Sequence, residues 1–170
     1  MKSFTGNEVI DNLEFDEGAG VLSYHGIRYF LIRPETLGDL YMLQKQALGE
    51  KGDDAFFQAG YTGVSRSLKS YSTQLGLTGE ALLPYLIRTG TQLGWGRMEL
   101  LSLDVAEKTM TIEVKNSVFA QSSSGREPQC HMLRGVLAAV GEAVFGAPAC
   151  AREVACLGMG DTSCRFSVTS

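Results

Sequence analysis

The chain has 170 residues, of which 44% are hydrophobic and 20% charged, and its formal net charge is -4. This length and composition predict one domain with its own hydrophobic core and exclude a disordered chain. The acidic balance leaves no surplus of cations to neutralise a phosphate backbone, so we expect no direct nucleic-acid partner.

The N-terminal half is predicted to hold a hairpin and three helices. An extension over residues 1–19 precedes a single domain over residues 20–170. The domain begins with two short alternating segments around His25-Gly26, where glycine permits a tight hairpin turn. Helices follow because apolar residues recur at steps of three and four. Their predicted ranges are 34–49, 53–75 and 78–93.

The second of these helices carries an apolar seam and two glycines. The seam predicts core packing or a dimer interface. Gly60 and Gly63 each cost about 1 kcal/mol relative to alanine inside a helix, so we expect another backbone to approach closely at both positions. The seam residues are Phe57, Tyr61, Val64, Leu68, Tyr71 and Leu75.

The C-terminal half is predicted to hold two hairpins separated by one helix. Alternation predicts strands over residues 97–104 and 109–115, with Met98, Leu100 and Ser102 sharing one face. After a polar loop over residues 121–126, a helix from Pro128 to Phe145 is apolar over more than half its circumference and is therefore expected to be buried. A last hairpin joins residues 149–157 to 163–169. The order predicts an α+β domain with an antiparallel sheet packed on helices.

The N-terminus and the cysteines give expectations about the compartment. The first residues lack the basic and apolar segments of a signal peptide, and no stretch holds the ~20 apolar residues of a membrane-spanning helix. We therefore expect a cytoplasmic protein without a membrane span. Four cysteines are too few for a disulfide scaffold, so they indicate core packing, a metal site or redox chemistry.

Three of the cysteines have the placement that a metal site would require. Cys130 opens the buried helix, Cys156 and Cys164 flank the last hairpin turn, and Glu153 lies nearby. Thiolates and a carboxylate suit zinc in a closed, structural, tetrahedral site. Because Glu153 and Cys156 are an odd number of residues apart, a bulge or a strand end is needed to bring them to one face. Buried free cysteines are the alternative on spacing alone, and Cys150 is predicted to be a core residue.

Two segments carry a family resemblance. Residues 127–135 read EPQCHMLRG and residues 152–166 read REVACLGMGDTSCRF. Together they resemble the 4-vinyl reductase domain family. That family includes the sensor domains of phenol- and xylene-responsive transcriptional activators and a bacteriochlorophyll-biosynthesis accessory protein. Its fold is similar to that of transport-particle (TRAPP) subunits and of haem-based nitric-oxide sensors.

The resemblance implies a zinc cofactor and a dimer. The aromatic sensors hold zinc at positions that match Cys130, Glu153, Cys156 and Cys164, and a homodimer through the first two helices is expected from the family. Those sensors read phenols with a histidine and with a tryptophan two positions before an Asn-Ser pair. In this chain Val114 holds the tryptophan's position.

We therefore expect a non-enzymatic sensor or carrier domain with a structural zinc site and an apolar pocket for a hydrophobic small molecule. A downstream signalling or biosynthetic protein would be its partner. The residues expected in the pocket or in the helix seam are Tyr61, Val64, Trp95, Leu100, Ile112 and Val114. One alternative is a carrier or reductase accessory in tetrapyrrole biosynthesis, and another is a scaffold subunit with a filled core. We predict no catalytic residues, because the sequence offers no recognisable set of nucleophile, base and orienting group.

Overall fold

A computed structural model of the chain describes residues 6–120 and 127–170. The predicted polar loop at 121–126 and the first five residues of the predicted extension lie outside the described part. The helices are α1 (Glu8–Asp11), α2 (Pro34–Leu48), α3 (Glu50–Leu75), α4 (Leu82–Gln92) and α5 (His131–Phe145). The strands are β1 (Glu14–Asp16), β2 (Val21–Tyr24), β3 (Ile27–Tyr29), β4 (Arg97–Asp104), β5 (Thr109–Lys115), β6 (Cys150–Ala155) and β7 (Cys164–Thr169). Short 3-10 turns cover Gly79–Ala81 and Leu157–Met159.

The strands form two antiparallel sheets, and helices pack on the larger one. The small sheet has the order β1-β2-β3, and the larger has the order β4-β5-β7-β6. The central strands β5 and β7 supply Ile112, Phe166 and Val168 to a core that also contains most of α5. The predicted α+β architecture with an antiparallel sheet packed on helices is confirmed.

Helices α3 and α5 touch backbone to backbone. A Cβ atom on Gly60 would lie 2.0 Å from the carbonyl oxygen of Met132, and one on Gly135 would lie 2.0 Å from that of Phe57. The close approach predicted at Gly60 is therefore confirmed. The prediction at Gly63 was wrong, because no heavy atom of the described residues lies within 4 Å of its Cβ position.

Strand β4 departs from the strict alternation predicted for it. It is an edge strand, and its register against β5 shifts between Leu100 and Ser102. Met98 is buried as expected, but Leu100 is 38% exposed and Ser102 is exposed. Beyond the shift, Leu103 pairs with Met110 and packs on the core. The extra residue of a bulge has moved the apolar face by one position.

Residues 6–19 carry α1 and β1, which pack against the rest of the chain. Strand β1 pairs with β2, and Val9 is buried. The Asn7 side chain donates a hydrogen bond to the carbonyl oxygen of Gln92 at 2.9 Å. This bond ties the first helix to the end of α4. Every helix within residues 6–120 and 127–170 is too short or too polar to cross a lipid bilayer.

Candidate metal centre and apolar cavity

Four candidate ligands converge where β6 ends and β7 begins. Cys130 is the N-cap of α5, Glu153 lies within β6, Cys156 follows that strand, and Cys164 begins β7. One donor atom from each of them lies within 4.8 Å of the others. The three cysteines are 0% exposed and the glutamate is 8% exposed. The structure thus brings together all four residues singled out from the sequence, and they could hold a metal ion.

A bulge in β6 allows the glutamate to join the cysteines. Glu153 pairs with Phe166, whereas Ala155 pairs with the adjacent Arg165, so the intervening Val154 is an extra residue. Such an insertion reverses the side-chain alternation beyond it. Cys156 also lies just past the end of the strand. Both devices that the odd spacing required are therefore present.

The spacing of the donor atoms fits a shared ion. The sulfur atoms of Cys130 and Cys164 are 3.4 Å apart. Two thiolates on tetrahedral zinc are separated by about 3.8 Å, given a Zn–S distance of about 2.3 Å. The backbone N–H of Cys130 donates to Glu153 Oε2 at 3.1 Å, and that of Leu157 donates to Cys164 Sγ at 3.4 Å. These bonds orient the donors before any ion is added.

The electrostatics of the cluster call for a cation. Glu153 Oε1 is buried without a hydrogen-bond partner in the described part of the chain. Burial raises the pKa of Glu153 to about 8. Hydrogen bonds from Cys130 and Cys164 lower the pKa of Cys156, and the bond to Cys156 raises that of Cys130. The four acidic groups are too close for all of them to ionise without a compensating positive charge, which a divalent ion would supply.

The surrounding turn holds the cluster through residues that the sequence analysis did not single out. The backbone N–H of Cys156 donates to Asp161 Oδ2 at 2.8 Å, and the N–H of Asp161 donates to the carbonyl oxygen of Cys156 at 3.2 Å. The Ser117 hydroxyl lies 3.7 Å from Cys130 Sγ. A Cβ on Gly158 would meet the Gln129 side chain at 2.6 Å, so this glycine admits the segment before α5. The Gly-x-Gly-Asp pattern was the available signal for Asp161.

Cys150 does not belong to this cluster or to the core. It begins β6 and is exposed. The prediction of a core position was wrong, because β6 is an edge strand and its first residue faces solvent.

An apolar cavity of about 440 Å³ lies between α3, α4, α5 and the inner face of β4 and β5. Small-molecule sites in proteins commonly have volumes of about 300–1,000 Å³. Most of its wall is aliphatic or aromatic, including Leu83, Leu86, Ile87, Met98, Phe119, Met132, Val136, Leu137 and Val140. The polar side chains on the wall are those of Arg28, Tyr29, Arg66, Ser67, Tyr71 and Thr89.

The six residues expected in the pocket or seam are divided between the cavity and other places. Val64, Trp95 and Ile112 line the cavity. Tyr61 instead donates a hydrogen bond to Glu142 across the α3–α5 crossing. Val114 is packed in the core opposite Cys164, and Leu100 lies on the partly exposed edge strand. None of these last three lines the cavity.

Comparisons with known proteins are consistent with this architecture. The family model of the 4-vinyl reductase domain matches residues 110–170. No curated protein matches the sequence. The phenol-responsive sensory domain of the transcription activator PoxR, solved with phenol, is 21% identical with a TM-score of 0.81, over 99% of this chain and 91% of that one.

Two further solved structures share the fold at lower identity. A vinyl-4-reductase family protein from Methanocaldococcus jannaschii is 17% identical with a TM-score of 0.52, over 83% of each chain. A trafficking protein particle complex subunit 3 from Naegleria fowleri, covalently bound to palmitic acid, is 12% identical with a TM-score of 0.62, over 80% of this chain and 91% of that one. The resemblance to the 4-vinyl reductase domain family is therefore confirmed, with residues 110–170 matching the family's domain model and the fold shared with the PoxR sensory domain.

Proposed function

We propose that the chain is a small-molecule-binding domain of the sensor or carrier type, in which the cavity takes a hydrophobic ligand. The apolar cavity of about 440 Å³ carries this proposal. Protein interiors contain few voids larger than a water molecule, and an unfilled cavity lowers stability. The phenol-responsive PoxR domain and the palmitate-bound trafficking subunit support an apolar ligand, because both have a similar fold.

Trp95 offers a direct assay for this function. It is the one tryptophan of the chain, and it lines the cavity. We expect 4-butylphenol to change its fluorescence in a saturable manner and to raise the melting temperature, because a ligand that binds only the folded state stabilises that state. Native mass spectrometry of the purified chain would reveal a ligand that co-purifies.

A matched pair of variants ties the signal to the cavity. Val64→Phe adds a ring at the cavity wall, so it should weaken binding. Val105→Phe adds the same ring at an exposed turn and should leave binding unchanged. Unaltered binding by Val64→Phe would argue against the cavity as the site. A bound porphyrin would instead favour the tetrapyrrole carrier, and a chain that binds no apolar molecule would favour the scaffold subunit.

We also propose that Cys130, Glu153, Cys156 and Cys164 hold a structural zinc ion. Three thiolates and one carboxylate suit zinc and leave no coordination position for a substrate. When bound, the ion would supply the positive charge that the buried donors call for, and its affinity would become folding free energy. Elemental analysis should find about one zinc per chain. A metal-free chain whose melting is unaffected by zinc or chelator would overturn this assignment. Thiolate ligands persist in a reducing compartment, which supports a cytoplasmic location.

We further propose a homodimer through α2 and the segment that precedes it. Within the described residues, α2 buries none of its side chains. Its apolar residues and those just before it are at least 45% exposed, namely Phe30, Leu31, Ile32, Leu40, Met42, Leu43 and Leu48. A second copy of the chain would cover this surface, and dimer geometry could then transmit ligand binding to a signalling or biosynthetic partner. Leu43→Asp should give a monomer in sedimentation experiments, whereas Leu101→Asp on the exposed edge of β4 should remain dimeric. A monomeric parent chain would refute the proposal.

A further inference from the structure

The cavity has one positively charged end. Arg28 on β3 and Arg66 on α3 both line it, and both are exposed to solvent. Wall residues such as Leu83, Ile112 and Leu137 are almost completely buried. The cavity therefore runs from a cationic rim to an apolar interior.

No acidic side chain compensates these two arginines. The described residues that line the cavity include neither aspartate nor glutamate. Within residues 6–120 and 127–170, neither Arg28 nor Arg66 forms an ion pair. The chain as a whole carries a net charge of -4, so this local positive charge runs against the overall balance. Low-dielectric walls next to charges of one sign concentrate the potential at such a rim and attract ligands of the opposite sign.

We propose that the cavity binds an amphipathic carboxylic acid, with the apolar body inside and the carboxylate at the rim between Arg28 and Arg66. This inference rests on the proposed binding function and narrows it to a ligand class. The planar guanidinium group presents paired donors that match a carboxylate, and such charge-assisted bonds are stronger than neutral ones.

A pair of tyrosines adds a hydrogen-bond donor to the same cavity. The hydroxyl groups of Tyr29 and Tyr71 lie 3.0 Å apart, and both residues line the cavity. The pair uses one of its two hydroxyl hydrogens on itself, so the other can be donated to a carboxylate oxygen. Arg28 directly precedes Tyr29 on β3. A ligand with an acidic group can thus find charge and a neutral donor on neighbouring residues.

The test compares two probes with the same apolar body. The full chain is titrated with 4-butylbenzoate and with its neutral analogue 4-butylbenzamide, and Trp95 fluorescence is recorded. We expect the acid to bind at least about tenfold more tightly, because charge-assisted hydrogen bonds contribute more than neutral ones. This preference should shrink as salt is raised, because the arginines are exposed.

Arginine variants decide whether the rim causes the preference. The double variant Arg28→Gln/Arg66→Gln should bind both probes equally, with the affinity for the amide unchanged within about twofold. Arg152→Gln, on an exposed position of β6 outside the cavity, should keep the preference. Circular dichroism would verify that each variant is folded.

Each outcome bears on one of the two proposals. Equal affinities in the parent chain, or a preference that survives in the double variant, would overturn the carboxylate assignment and leave small-molecule binding intact. If neither probe nor 4-butylphenol alters the fluorescence, both proposals fall.

Discussion

Substituting alanine for Gly60 tests the backbone contact between α3 and α5. The added Cβ would lie 2.0 Å from the Met132 carbonyl oxygen, whereas real Cβ atoms essentially never come within 3.0 Å of another heavy atom. The two helices must therefore separate by about 1 Å, and overpacking of this kind costs about 1–3 kcal/mol. The obstruction is backbone that cannot rotate away, so we expect the upper end of this range. Alanine's helix propensity offsets about 1 kcal/mol, which leaves a loss of about 2 kcal/mol.

Equilibrium denaturation in urea at a fixed zinc concentration measures this loss. For a chain of this size, about 2 kcal/mol corresponds to a fall in melting temperature of about 4–8 °C. Gly63→Ala is the matched control on the same helix. Its Cβ meets no described atom within 4 Å, so it should stabilise the chain by about 0.5–1 kcal/mol. Equal stability of the two variants would refute the contact between the helix backbones.

Three further substitutions probe the metal cluster and the sheet. Cys156→Ser should lower both zinc content and melting temperature, whereas Cys150→Ser at an exposed position should change neither; identical zinc content in the two would contradict the ligand set. Glu153→Gln keeps an acceptor for the Cys130 N–H but removes the buried charge, so zinc affinity should fall in a chelator competition while the metal-free chain loses no stability. Unchanged affinity would remove the carboxylate from the ligands. Ser163→Ala deletes a buried hydrogen bond of 2.8 Å to Glu113 and should cost about 1–2 kcal/mol in urea denaturation; a loss near zero would show that the bond adds nothing to stability.

The helices and hairpins were predictable because their signals are local. The predicted helix over 53–75 is α3, which begins at Glu50, and the helix predicted from Pro128 begins at His131 because Cys130 takes the cap position. The sheet order was out of reach, since β7 pairs with β5 about fifty residues earlier in the chain. No local pattern encodes that pairing.

The two candidate sites differed in how far the sequence could go. Cysteine and glutamate have distinct chemistry, so the residues of the metal cluster could be singled out before their positions were known. An apolar residue beside a cavity has the same pattern as one in a filled core. Tyr61 and Val114 therefore could not be told apart from Leu83 and Ile87, which line the cavity. The bulge that exposes Leu100 also has no glycine or proline to mark it.

The exposed apolar surface of α2 makes that helix a measure of association. A helix that buries none of its side chains within the described residues opens at little cost, because local unfolding exposes almost no new apolar area. Its amide protons should exchange with deuterated water quickly in dilute solution, in contrast to those of the enclosed α5. Their exchange should slow as protein concentration rises, so isotope uptake along this one helix would report how much of the chain is paired.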